Sequence, residues 1–127
     1  MPFDCRMEPD RRRGILTLRG RVDAVDFIAA MRALYGHPEW QPDFDALWDA
    51  GGITQLVIEP ADLGPISEGY RNVETRMGSG RAAFVASRDV VHVITQLLLH
   101  RLRNPNRERR TFVRLDDAVA WLNEREA

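Results

Sequence analysis

The chain has 127 residues, about one domain's worth, with ordinary proportions of apolar (44%) and charged (29%) residues. Its formal net charge is −1, so no global field recruits nucleic acid or an anionic membrane. All eighteen basic residues are arginine, which excludes a Schiff-base lysine and a P-loop lysine, and the single Cys5 excludes an internal disulfide.

No stretch approaches the roughly 20 apolar residues that span a bilayer. The longest apolar segment, Val90 to Leu99, is interrupted by His92, Thr95 and Gln96. The opening Met1-Pro-Phe-Asp-Cys5 has no basic-then-apolar pattern of a signal peptide. A cytoplasmic protein of bacterial type, with no stable membrane insertion, is the expectation.

Phe3 to Glu8 alternates weakly, as an edge strand does. Pro9 to Gly14 is turn chemistry with an arginine run. Ile15, Leu16 and Leu18 make a second strand, paired with the first as a hairpin and ended by Gly20. Asp23 caps a helix, with Asp26 three residues on as a short relative of the capping box. Val25, Ile28, Met31 and Tyr35 fall at helical spacing beside Phe27 and Leu34, and Gly36 and Pro38 stop the helix.

A short buried strand follows at Ala46-Leu-Trp-Asp49, and Asp49-Ala-Gly-Gly52 reads as the turn after it. Ile53 to Ile58 fits an extended segment or a loop. Leu63, Ile66, Tyr70, Val73 and Met77 form an amphipathic stripe. Asp62 caps that helix, Pro65 lies in its first turn, and Gly78-Ser79-Gly80 ends it. Arg81 to Val85 is a short apolar strand. Ser87 or Asp89 caps a further helix to about Arg103, with a wide apolar face. Arg110 to Val113 is the last strand, and Asp116 caps a closing helix with Ala118, Val119, Trp121 and Leu122.

The order is therefore β-β-α-β-α-β-α-β-α, an α/β chain forming a single domain over residues 1–127. Its sheet is mixed and mostly parallel, with helices packed on it. The order of these pieces resembles the SpoIIAA-like superfamily, specifically its uncharacterised bacterial STAS/SEC14-type members. The resemblance rests on the hairpin, the helix from Asp23, His37-Pro38, the strand ending Leu47-Trp48-Asp49, the strand Arg81 to Val85 and the closing Phe112 to Leu122. It implies a non-enzymatic domain that binds a regulatory protein partner, and the wide apolar face of the helix before Arg103, extended through Leu99, adds a homodimer or lipid-facing surface as an alternative to simple core. Through the SEC14-type members it also implies a small apolar ligand or lipid. Studied relatives carry a phosphorylated Asp-Ser-Ser-Gly motif at the helix after the central strand. The corresponding Ile53 to Asp62 has no such motif, and the nearest hydroxyls are Thr54 and Ser67.

Open α/β sheets place their sites at the carboxyl ends of central strands. The candidate interaction surface is accordingly Asp49, Gly51, Gly52, Thr54 and Ser67. Leu99, which falls outside the apolar arc of its helix, and Arg101, which falls inside it, join the set. Asp45, Asp49, Glu59 and Asp62 cluster around the same strand, and an enzyme built on these acids is a further alternative. Capping, turn formation and solvation are the favoured account of these acids. His92 and His100 stand eight residues apart, about 12 Å by helical rise, too far to share a metal. The glycine pairs match no nucleotide-binding pattern. The arginine clusters at 11–13 and 101–110 read as solvated loops. No cofactor, metal or catalytic residue is expected.

Overall fold

The computed structural model describes residues 2–90, 93 and 107–124. The strands are β1 (Phe3–Glu8), β2 (Arg13–Asp23), β3 (Asp45–Val57), β4 (Ala82–Val85) and β5 (Arg109–Phe112). The helices are α1 (Ala24–Tyr35), α2 (Leu63–Met77) and α3 (Leu115–Asn123). Single 3₁₀ turns lie at Pro9–Arg11 and Pro60–Asp62. The sheet runs in the order β1-β2-β3-β4-β5. β1 is antiparallel to β2, and every other pair is parallel. This is the mixed, mostly parallel α/β arrangement that the element order predicts. The helix expected after β4 is helical at 88–90, and the rest of it, including His92, Leu99, His100 and Arg101, lies outside the described residues apart from residue 93.

Both faces of the central strands are buried, as in parallel sheets generally. Leu16, Leu18, Trp48, Ala50 and Phe84 point to a larger core shared with α1 and α2. Ile15, Leu47, Ala83 and Val85 point to a smaller core closed by Ala118, Trp121 and Leu122 of α3. Trp48 anchors the larger core. Its ring lies 5.4 Å from Phe27 and 5.3 Å from Phe84, and its Nε1–H donates to Tyr35 Oη at 3.3 Å. That bond lets the indole be buried without an orphan donor.

The helix ends separate local from tertiary control. Asp23 accepts from Asp26 N at 2.9 Å, and Asp26 accepts from Asp23 N at 3.1 Å, a complete capping box. Val25 is 74% exposed although Ala24 and Phe27 beside it are buried, so it lies outside the apolar stripe of α1. Asp62 does not cap α2: its carboxylate accepts from Glu59 N at 2.8 Å and closes the preceding 3₁₀ turn. Asp116 does not cap α3 either; with Asp117 it lies in the first turn, beside the positive end of the helix dipole. Gly78 ends α2 with φ 74° and ψ −148°, a region only glycine adopts readily, and a Cβ there would overlap the Pro42 carbonyl.

Two outcomes follow. Gly78→Ala is expected to lower unfolding free energy by on the order of 3 kcal/mol. Gly64→Ala, where nothing lies within 4 Å of an added Cβ in the first turn of α2, is expected to raise it by about 0.5 kcal/mol. Urea denaturation of both reads the contrast. The Asp26 backbone N–H, chief among the groups stabilising its ionised form, holds the Asp23 carboxyl below its ordinary value. A depressed carboxylate stabilises the fold above its unfolded pKa, and that share is lost as pH falls through the folded value. Asp23→Asn is expected to flatten this part of the acid limb in a stability-against-pH profile.

Candidate functional site

β3 enters the sheet at Asp45 and runs along β4 only from Ala46 to Asp49. There β4 ends, but β3 continues with β2 to the pair Asp23↔Val57. The expected turn at Asp49-Ala-Gly-Gly52 is therefore strand. Two irregularities in the β2–β3 register accommodate the extra residues. The pairs step from Thr17↔Asp49 to Arg19↔Gly52, then from Gly20↔Ile53 to Arg21↔Gln55. These are β-bulges, and Thr54 is the unpaired residue of the second. Gly20, with φ 69°, sits at the second step on the β2 side, so it bends that strand rather than ending it. A Cβ at position 52 would lie 3.2 Å from Leu18 O, a tight contact. The two glycines serve bulges, and bulges adjoin sites because they re-aim side chains.

Past Asp49, β3 is an arm. Asp49 Oδ1 accepts from Gly51 N at 3.2 Å, where the β4 ladder has stopped. Gly51, Gly52, Thr54 and Gln55 are exposed. Asp49, Gly51, Gly52 and Thr54 thus lie together on one strand. Ser67 lies apart on α2, half-buried beside the fully buried Ile66. Leu99 and Arg101 fall outside the described residues.

The four acids do not form a group. Asp45 is buried at the entry to β3 and accepts from Arg81 N at 2.8 Å. Asp49 stands four residues further along the strand, roughly 13 Å away at ~3.3 Å per residue. Glu59 and Asp62 cap the same 3₁₀ turn. Among the described residues no three His, Cys, Asp or Glu side chains come close enough to hold a metal ion.

The arginine loops carry the largest departure. Arg107 is only 5% exposed. Its guanidinium donates to Met77 O at 2.7 Å, to Phe44 O at 3.1 Å and to Arg81 O at 3.1 Å. It lies over the rings of Trp40 and Tyr35, at 5.5 and 5.8 Å from their centroids. Burial pulls its pKa below the ordinary arginine value, opposed by the nearby Tyr35 and Asp45. Arg13 is buried too, donating to Asn123 Oδ1 at 2.9 Å. Each planar guanidinium has several donors in fixed directions, which suits it to gathering backbone carbonyls.

One recess opens among Phe27, Met31, Tyr35, Trp48, Tyr70, Met77, Phe84 and Arg109, with about 270 Å³ of space including its open mouth. Arg109 donates to Tyr70 Oη there. Burial raises the Tyr70 phenol, and the Arg109 charge opposes the rise. The recess falls short of the ~300–1,000 Å³ of most small-molecule sites. Among the described residues no helix is long and apolar enough to cross a membrane.

No family model matches the chain, and no curated protein does. A solved structure is similar in shape: an uncharacterised protein of the DUF3478 family with a SpoIIAA-like fold, from Shewanella loihica PV-4. The two agree with a TM-score of 0.56 over 94% of this chain and 91% of that one. The fold is SpoIIAA-like. At 15% identity the likeness extends to the fold and assigns no residue a role.

Within this SpoIIAA-like sheet, Arg107→Met is expected to cost on the order of 3 kcal/mol, since it removes the charge-assisted bonds that tie Met77 O, Phe44 O and Arg81 O together. Arg107→Lys is expected to recover little, because an ammonium cannot reach three divergent acceptors. Chemical denaturation of both variants measures this.

Proposed function

We propose that the chain acts by binding, as a regulatory or protein-interaction module, with the far half of β3 as its contact surface. The observation that carries this reading is the arm itself. A buried central strand leaves the shelter of β4 and presents Gly51, Gly52, Thr54 and Gln55 to solvent at the carboxyl end of the sheet. Sites in open α/β sheets gather at that end. A strand with one side free offers a partner backbone hydrogen bonds as well as side chains.

The placement of the polar groups supports a binding role over chemistry. Asp45, Glu59 and Asp62 each hold a backbone N–H or close a turn, and Asp49 holds Gly51 N. Their spacing does not converge two carboxylates on one substrate atom. The small recess supports a protein partner over a lipid, since a lipid chain needs more room than that recess offers.

Affinity capture from the native host tests the reading. A Cβ at Gly51 meets only Asp49 Oδ1, at 3.4 Å, so Gly51→Arg is compatible with folding. Wild-type protein is expected to retain a partner in fixed ratio, Gly51→Arg to lose it, and Ser67→Ala to keep it. Capture that is indifferent to Gly51→Arg would remove the arm from the binding surface.

A further inference from the structure

The two outer edges of this sheet differ in length and charge. β5 has four residues and carries Arg109 and Arg110 in succession. Short length and charged side chains keep such an edge from pairing with another chain. β1 has six residues, is regular against β2 from Phe3↔Leu18 to Glu8↔Arg13, and carries both signs of charge in Asp4, Arg6 and Glu8. Among the described residues no strand pairs with its outer side.

The hydrogen-bond pattern fixes which groups that side offers. Arg19 N donates to Pro2 O at 2.8 Å, so the Pro2 carbonyl faces β2. Successive residues of an antiparallel ladder alternate in direction. The N–H and C=O of Asp4, Arg6 and Glu8 therefore face β2 as well, and those of Phe3, Cys5 and Met7 face outward. The side chains of Phe3, Cys5 and Met7 pack at the rim of the larger core and are only half-buried. Those of Asp4 and Arg6 lie on the other face and are exposed.

We infer that β1 pairs with β1 of a second copy of this chain, antiparallel about a two-fold axis at Cys5. The segment Phe3-Asp-Cys-Arg-Met7 is its own complement when reversed: apolar meets apolar, acid meets base, and Cys5 meets Cys5. In this register Phe3 faces the partner's Met7 and Cys5 faces the partner's Cys5. Each of those pairs exchanges both backbone bonds, so the outward groups of Phe3, Cys5 and Met7 are all met. Asp4 faces the partner's Arg6, and symmetry makes that contact twice. Asp4 already holds Arg19 through Oδ2 at 2.7 Å and keeps a second oxygen for it. Registers two residues away set Asp4 against Asp4 or Arg6 against Arg6, like charges directly opposite, which are destabilising. The charge order thus selects a second copy as the occupant, and one register for it. An isologous contact of this kind closes at two copies. On the larger-core face, Cys5 Sγ donates to Ala33 O at 3.6 Å, so α1 stands over β1. Ala29 and Ala33, one turn apart on α1, are small enough to admit the partner's α1 alongside. This contact lies on a different strand from the β3 arm and does not rest on it.

Sedimentation velocity of the full chain across the micromolar range tests this, and a reversible monomer–dimer equilibrium is expected. Asp4→Arg alone and Arg6→Asp alone each set like charges opposite across the axis. Each is expected to weaken dimerisation about tenfold, the equivalent of 1.4 kcal/mol. Both side chains are exposed, so both variants are expected to melt with the wild type at dilution. An equimolar mixture of the two variants sets every arginine against an aspartate again and is expected to dimerise as the wild type does. Amide exchange gives a second readout: Phe3, Cys5 and Met7 gain protection with concentration, while Asp4, Arg6 and Glu8, already bonded to β2, stay the same. A monomer at every concentration, a dimer indifferent to the single variants, or a mixture that stays monomeric would overturn β1 self-pairing. None of these outcomes bears on partner capture at Gly51, so the two readings stand or fall separately.

Discussion

The guanidinium of Arg107 lies where three backbone segments meet. It takes the carbonyl of Met77 at the end of α2, that of Phe44 just before β3 and that of Arg81 just before β4. Arg81 O also accepts from Ala46 N at 2.8 Å, and the guanidinium adds charge-assisted bonds, stronger than neutral ones, at the entry to a buried sheet. The aromatic faces of Tyr35 and Trp40 cover the charge, and Asp45 stands close enough to offset part of its burial. One side chain thus sets the relative heights of a helix end and two parallel strands. The 46↔82 to 49↔85 register of β3 and β4 begins directly above it.

The neighbouring contacts repeat the theme. Trp40 Nε1 donates to Arg76 O at 2.8 Å, and Arg76 Nε donates to Tyr35 O at 2.8 Å, so the end of α2 is tied to the end of α1. Ser79 N donates to Pro42 O at 2.9 Å, and Gly78 lies against the same carbonyl. Arg81 stacks 4.7 Å from the Trp121 centroid and donates to Trp121 O at 2.8 Å, which brings α3 to the same end from the other face. The amino-terminal end of the parallel sheet is therefore dense with buried polar bonds. Among the described residues the opposite end, where β3 outruns β4, has fewer such ties, among them the Asp49–Gly51 contact, the β2 ladder and Ala86 N donating to Phe112 O at 3.0 Å. A sheet register is strongly specified wherever one face is buried and weakly specified elsewhere. Here the buried polar bonds concentrate at one end, while Val22, Ala50 and Ile53 hold the other by apolar burial.

Local chemistry made much of this legible in the amino-acid order. Asp23 and Asp26 announce α1, and the three-and-four spacing from Leu63 to Met77 announces α2, because both signals act within one or two helical turns. The strand ends were not legible. Gly51-Gly52 and Gly20 are turn residues by local preference, and only the neighbouring strand turns them into bulges. Asp62 and Asp116 look like caps by spacing, yet one closes the preceding 3₁₀ turn and the other lies within its helix. Arg107 gave no signal, since its acceptors lie 30, 63 and 26 residues away in the chain. As one of five arginines beside a single glutamate, it has the composition of a solvated loop. The arm's exposure was legible only as a location, the carboxyl end of a central strand; its length and open side depend on where β4 stops.

The concentration of polar bonds at one end bears on what the other can do. A flexible strand that orders on binding gives up part of its interaction energy to conformational entropy, at about 1–2 kcal/mol per backbone residue. The β3 arm is already extended and laddered to β2 through Val57, and its base is held in register by the contacts around Arg107. Its backbone donors and acceptors are presented before any partner arrives, so little ordering cost remains to be met on contact. This gives the Arg107 cluster a consequence beyond stability. Loosening the entry of β3 frees the strand to slide, and a one-residue slide turns Trp48 and Ala50 out of the core and reverses which residues the arm displays.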